Sequence, residues 1–309
     1  MIYSYKHKDV TWIDLENPTK DEVRDLIERF KIDAVVAEEL LSPSTRSKAD
    51  LHNDYIYLIL HFPKKTENHN YTGPLKKDSV EIDFIIGKNF IITTRYSSVD
   101  AILEFSKIFE SDSILNRSNI GVHAGYVFYY MIRNIYKSIY EEVQNMKDQI
   151  AIYEENVFSG KEREMVETLS KMNRVLLYYK ESLSFHKEIL VSFEDAGKHI
   201  FEAEFTYYLR AVMGEYHKAQ SALEGSINYL SELRETNNSL LSTKQNEIMK
   251  MIAIISFITF PMTLISSIFG MNTSSIPFLG SNNDFMIIIG SMMILAGFMF
   301  LFFKKKKWL

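Results

Sequence analysis

The chain of 309 residues contains no cysteine. Disulfide frameworks, thiolate zinc sites, iron–sulfur clusters and a cysteine nucleophile are therefore excluded. Proline (6) and glycine (12) are too scarce for a collagen-like or low-complexity chain. An excess of basic residues is also missing: Lys+Arg is 35 against Asp+Glu 40, net −5. Nucleic acid is not expected as a partner. Catalytic signatures are absent as well. Ser159-Gly160-Lys161 lacks the upstream glycine and the following hydroxyl of a phosphate-binding loop, and there is no GxGxxG, GxSxG or HExxH. The eight histidines form no ligand-spaced pair, and adjacent acids such as Glu38 and Glu39 point in different directions on a helix. The chain reads as a non-enzyme without a cofactor.

What the sequence does have is apolar residue concentrated at its C-terminal end. Residues 251–269 and 285–303 carry no charge. A helix of 19 residues covers about 28 Å at ~1.5 Å per residue, which matches a hydrocarbon layer of roughly 30 Å. Lys304 to Lys307 follow the second run, Lys244 and Lys250 precede the first, and the connector 270–284 has no Lys or Arg. The positive-inside rule then places both termini in the cytoplasm and the connector outside, for a multi-pass protein of the cytoplasmic membrane. No signal peptide is read at the N-terminus.

The preceding residues divide in two. Residues 1–120 read as a cytoplasmic α+β domain. Val10–Leu15, Tyr55–Phe62, Val80–Ile86 and Phe90–Thr94 have strand composition. Gly87-Lys88-Asn89 predicts a hairpin turn. Thr19 and Glu22 have capping-box spacing ahead of Val23, Leu26 and Ile27. A second helix is predicted over 34–41, and residues 64–77 read as a loop. Residues 121–250 read as long cytoplasmic stalk helices. Apolar residues recur every three or four positions from Ile132 to Val157, from Leu169 to Leu183, and from Leu209 to Leu233, with Ser159-Gly160 breaking the first pair. The last run continues into the first membrane segment, which predicts one very long helix over about 201–269. Residues 251–309 form the transmembrane region.

The first membrane segment is not uniformly apolar. Asn246, Met249, Ile252, Ser256, Phe260, Thr263 and Ser267 fall on one side of a helix. Such a stripe can pack a neighbouring helix or face a polar path shared by several copies. Two spans from one chain cannot enclose a path, so the second reading requires a homo-oligomer in lipid.

Phe269-Gly270-Met271-Asn272 ends this segment. Gly-Met-Asn at the end of the first of two C-terminal spans resembles the signature of the CorA family of divalent-cation (magnesium) transporters, with Phe269 where the family usually has Tyr. The upstream Asn246-Glu247-Ile248-Met249-Lys250, Phe260-Pro261-Met262-Thr263, the Lys-rich tail, Arg46-Ser47-Lys48, Asn53-Asp54-Tyr55-Ile56-Tyr57 and Gly87-Lys88-Asn89-Phe90 are similar to the family too.

The resemblance implies a funnel-shaped homopentamer that passes hydrated magnesium, cobalt or nickel. It implies a selectivity ring at Gly270, Met271 and Asn272, polar pore positions at Asn246 and Thr263, and hydrophobic constrictions at Ile252 and Phe260. Glu235 would form an acidic ring at the cytoplasmic mouth, and Glu38 and Glu39 one side of a regulatory magnesium site. The partner acid of that site falls on Ala211, with Glu202, Glu204 and Glu215 as nearby substitutes. Neutral amide and carbonyl oxygens suit a dication that dehydrates reluctantly. Gly270 is expected to let the backbone turn away at the helix end, and Pro261 to bend the helix. Two other readings stand beside this one: a zinc transporter of the related ZntB group, and a membrane-anchored helical sensor or scaffold without conduction.

Overall fold

The computed structural model describes residues 1–64, 79–109, 123–271, 284–306 and 308. It separates into two compact units, Met1–Arg234 and Glu235–Leu309. The first unit is built on a six-stranded mixed sheet with strands β1 (Ile2–His7), β2 (Val10–Glu16), β3 (Lys48–Leu51), β4 (Tyr55–Pro63), β5 (Ser79–Gly87) and β6 (Phe90–Arg95). The spatial order is β1-β2-β6-β5-β4-β3. Only β2 and β6 run parallel; every other neighbouring pair is antiparallel. The four central strands carry long apolar runs because both faces of the sheet are covered.

Side-chain alternation assigns each face. Ile13, Leu15, Tyr55, Tyr57, Ile59, Ile85 and Ile92 pack with Val23, Leu26 and Val36 from helices α1 (Lys20–Phe30) and α2 (Ala34–Glu39) and with Leu40, which caps α2. Helix α1 starts where predicted: Thr19 accepts the Glu22 amide, and the Glu22 carboxylate accepts the Thr19 amide at 2.8 Å. That reciprocal box satisfies two end donors. The opposite face presents Trp12, Phe62 and Phe84. Trp12 meets Phe105 of α3 (Asp100–Phe109), and Phe84 and Phe62 meet Phe128 and Tyr136 of α4 (Ala124–Phe158). Strands β1 and β3 and helix α3 were not legible as elements. The first two are sheet edges whose side chains, His7 apart, are exposed or half-buried, so they lack a clear apolar pattern.

The three periodic runs are all buried stripes. On α4, Ile132, Ile135, Ile139, Val143, Met146, Ile150 and Val157 are buried. On α5 (Glu162–Ser182), Leu169, Met172, Leu176 and Tyr179 are buried. Leu209, Val212, Tyr216, Ala219, Leu223, Leu230 and Leu233 continue the core on α7 (Thr206–Phe269), a single helix of 64 residues. Between α5 and α7 lies α6 (His186–Ile200) and a short 3-10 turn at Ala203–Phe205, so the long helix starts later than the predicted residue 201. The α4–α5 corner is tight: Gly160 has φ 95°, a left-handed conformation that glycine adopts without steric cost. The predicted loop at 64–77 lies outside the described residues except for Lys64.

The second unit holds the rest of α7 and α8 (Asp284–Lys305). Both helices are long and apolar enough to cross a membrane by length and composition.

Candidate functional site

Helix α7 carries most of the candidate positions. Ile254 is buried, and Ile258, Pro261 and Ile265 are half-buried. With about 100° of rotation per residue, these four share one side of the helix. Met249, Ile252, Phe260, Thr263 and Ser267 lie round the opposite side and are exposed, while Ser256 is half-buried. Phe260 is 72% exposed and Ile252 52%. The expected stripe therefore exists on one helix as an uncovered surface within the chain. Asn246 and Glu235 extend it toward the other end of the helix, and both are exposed.

The hydroxyls of this segment bond to their own helix. Ser256 donates to the Ile252 carbonyl (2.9 Å), Thr259 to Ile255 (2.8 Å) and Thr263 to Thr259 (3.0 Å). Such back-bonding satisfies the hydroxyl proton and leaves oxygen lone pairs available. Near the Phe269 end, Met262, Thr263, Ser266 and Ser267 line a shallow groove of about 360 Å³ together with Met292 of α8. Rings of Phe257 and Phe303 approach to 6.4 Å at the other end of the span.

At Gly270 the physical reason for glycine differs from the expected one. Gly270 is not among the described residues with positive φ. Its amide donates to the Ser266 carbonyl at 2.9 Å, and a Cβ added there would stand 3.1 Å from that same oxygen. Glycine is used here for close approach of the last turn to its own backbone. Pro261 is half-buried and lies inside the helix, which runs on to Phe269. Met271 is 56% exposed. Asn272 lies outside the described residues.

Glu38 and Glu39 end helix α2. Glu38 is exposed. Glu39 is held by Lys48 of the edge strand β3: Lys48 Nζ lies 3.0 Å from Glu39 Oε1 and 2.7 Å from Oε2. The same ammonium is 2.9 Å from Asp50 and 4.9 Å from the centre of the Tyr57 ring. Burial works against the charged lysine, but the hydrogen bonds to Glu39 and Asp50 outweigh it and its pKa is raised. Reading the sequence missed this lysine, because nothing in the spacing of residues 39 and 48 pairs them; the β3–β4 strand pairing does. Ala211 is half-buried, and Glu215 pairs with Arg133 at 3.3 Å. Among the described residues, no group of three or more His, Asp or Glu side chains is arranged to hold a metal ion.

A mixed α/β unit leading through one long helix into two membrane-competent helices defines a class of integral membrane protein with a large extramembrane domain. The chain belongs to the CorA-like Mg2+ transporter protein family, whose model matches residues 7–305. It is 26% identical over 304 residues to the cobalt/magnesium transport protein CorA of Thermotoga maritima, covering 97% of this chain and 83% of that one. The complete structure of the CorA magnesium transporter from Methanocaldococcus jannaschii superposes with a TM-score of 0.83 at 19% identity, over 99% of this chain and 94% of that one. The cytoplasmic domain of ZntB from Vibrio parahaemolyticus shares the fold of the first part, with a TM-score of 0.60 at 12% identity over 77% of this chain and 90% of that domain. Members of the family are channels or transporters, and this chain is no enzyme.

Proposed function

We propose that the protein is a homopentameric magnesium channel of the cytoplasmic membrane, with both termini in the cytoplasm, that also admits cobalt or nickel. The reading is carried by one conjunction. Gly270-Met271-Asn272 directly follows a helix whose Ile252–Phe260–Thr263 side is uncovered, in a chain matched from 7 to 305 to a magnesium-transporter family. Five copies of that side would enclose a path. Asn272 and the backbone oxygens of Gly270 and Met271 would meet the ion through its water shell at the outer rim. Magnesium keeps its waters reluctantly exchanged, and uncharged oxygens hold a dication weakly enough to release it. Thr263 and Asn246 supply further polar rungs. Ile252 and Phe260 form apolar rings that close by dewetting. Glu235 repeated round the mouth concentrates cations. An interior-negative potential contributes ~2.3 kcal/mol per charge per 100 mV, so a dication gains about twice that on entry.

The three-part division into residues 1–120, 121–250 and 251–309 gives a sensing domain, a stalk and a pore. A regulatory magnesium ion at Glu38 and Glu39 would enter by displacing Lys48 from Glu39. The discriminating experiment is uptake into proteoliposomes with magnesium, zinc and cobalt compared, with and without an imposed proton gradient. Magnesium and cobalt uptake independent of the gradient is expected. Zinc uptake that follows the gradient, without magnesium uptake, would instead establish a zinc transporter, and no flux of any ion would leave an anchored scaffold.

A further inference from the structure

A second feature of the first unit is unrelated to the membrane helices. Where β4 and β5 meet the loop after α2 and the last turn of α5, there is a cavity of about 390 Å³. That volume suits a small ligand. His61 and Glu81, directly opposite each other across β4 and β5, line it. Glu81 is only 5% exposed. Its Oε1 accepts the Ser44 amide at 2.9 Å, whereas its Oε2 receives no hydrogen bond among the described residues. His61 Nε2 stands 3.2 Å from that oxygen but lies closer, at 3.0 Å, to the Ser44 carbonyl, and His61 Nδ1 is 2.7 Å from Ser47 Oγ.

A second carboxylate lies beside Glu81 on the same strand. Asp83, two residues along the same strand, is fully buried; burial and then the adjacent Glu81 charge raise its pKa well above the usual carboxylate range. The other titratable groups facing this pair are Tyr57 and His61 on β4, Tyr96 after β6 and Glu39 at the end of α2. Lys48 is engaged by Glu39 and Asp50. Among the described residues no lysine or arginine lines the cavity; Glu181 adds a second carboxylate at its exposed rim, and Tyr96, Tyr178 and Phe185 supply aromatic wall.

We propose that this cavity binds a small organic cation, a primary ammonium on a short alkyl chain, with the ammonium on Glu81 Oε2 and the chain between Tyr178 and Phe185 toward Glu181. A buried carboxylate without a full counter-charge is costly, and an ammonium offers three donors to it and to the neighbouring hydroxyls. Aromatic walls favour a cation that carries an apolar chain. A divalent metal is a poorer match, because it needs about six hard oxygens while one oxygen of Glu81 is already taken by a backbone amide. The proposal stands apart from conduction and holds whether or not the pore passes magnesium.

The test is calorimetric titration of the full-length detergent-solubilised protein with 1,4-diaminobutane, with n-butylamine and with magnesium chloride in separate runs. Diamine binding is expected, weakened roughly tenfold or more by Glu81→Gln, which removes one charge-assisted hydrogen bond. Glu181→Gln, at an exposed position, should weaken the diamine and leave the monoamine unchanged. Ser182→Phe, which fills the cavity and keeps Glu81, should abolish binding of both amines and guards against a misfolded Glu81→Gln protein. Diamine binding unchanged in Glu81→Gln and Ser182→Phe would overturn the proposal, as would no binding at millimolar amine or magnesium binding that depends on Glu81.

Discussion

Arg95 shows what a single side chain can hold together. It is fully buried, and its guanidinium reaches Asp14 Oδ2 at 3.1–3.2 Å and Glu16 Oε2 at 3.1 Å, across the one parallel strand pair. Thr93 donates to the other Asp14 oxygen at 2.7 Å and accepts from the Trp12 indole at 3.0 Å. Removing one partner leaves a buried charge uncompensated. Arg95→Met should lower stability by roughly 3–5 kcal/mol, measured as the shift of the denaturant midpoint, and Asp14→Asn added to it should recover part of the loss. His186 carries a different kind of prediction. It is fully buried between the Tyr136 hydroxyl at 2.8 Å and the His61 carbonyl at 2.9 Å, and burial lowers its pKa from 6.5 to about 4. Its folded pKa lies below its unfolded one, so the unfolded chain takes up the proton first. Stability is full above pH 6.5 and is lost as pH falls toward 4, by roughly 3 kcal/mol at most. Unfolding at pH 7 and pH 5 should show a smaller drop for His186→Gln, whose amide can keep both bonds. An unchanged drop would remove His186 from the account.

At the scale of elements, the corner between α4 and α5 is set by Gly160 at φ 95°. Gly160→Ala should cost about 1 kcal/mol, seen as a lower melting temperature. This corner was readable in advance because Ser159-Gly160 interrupts a strict periodicity. The Thr19–Glu22 box and the four strands with apolar runs were readable for the same reason: a local rule specifies each. The edge strands β1 and β3 were not: each pairs with the strand that follows it in the chain, but most of its side chains are exposed or half-buried, so no apolar pattern marks it. Glu39 illustrates the limit for sites. Its carboxylate was visible, but Lys48, which neutralises it, is brought there by a strand edge. Glu81 and Asp83 interrupt the apolar run Val80–Ile86, and only the sheet shows that Glu81 faces a cavity and that Asp83 is buried beside it.

The whole molecule unites a sheet domain and a membrane region through α7, a helix of 64 residues. Its proposed work depends on copies of that helix presenting Ile252, Phe260 and Thr263 to a common axis, with Gly270-Met271-Asn272 at the outer rim. The most direct measurement is magnesium flux through the reconstituted protein, wild type against Asn272→Ala. The account predicts magnesium uptake in the wild type and its loss in the variant, with the purified assembly keeping its size. Flux of the variant equal to that of the wild type would contradict it.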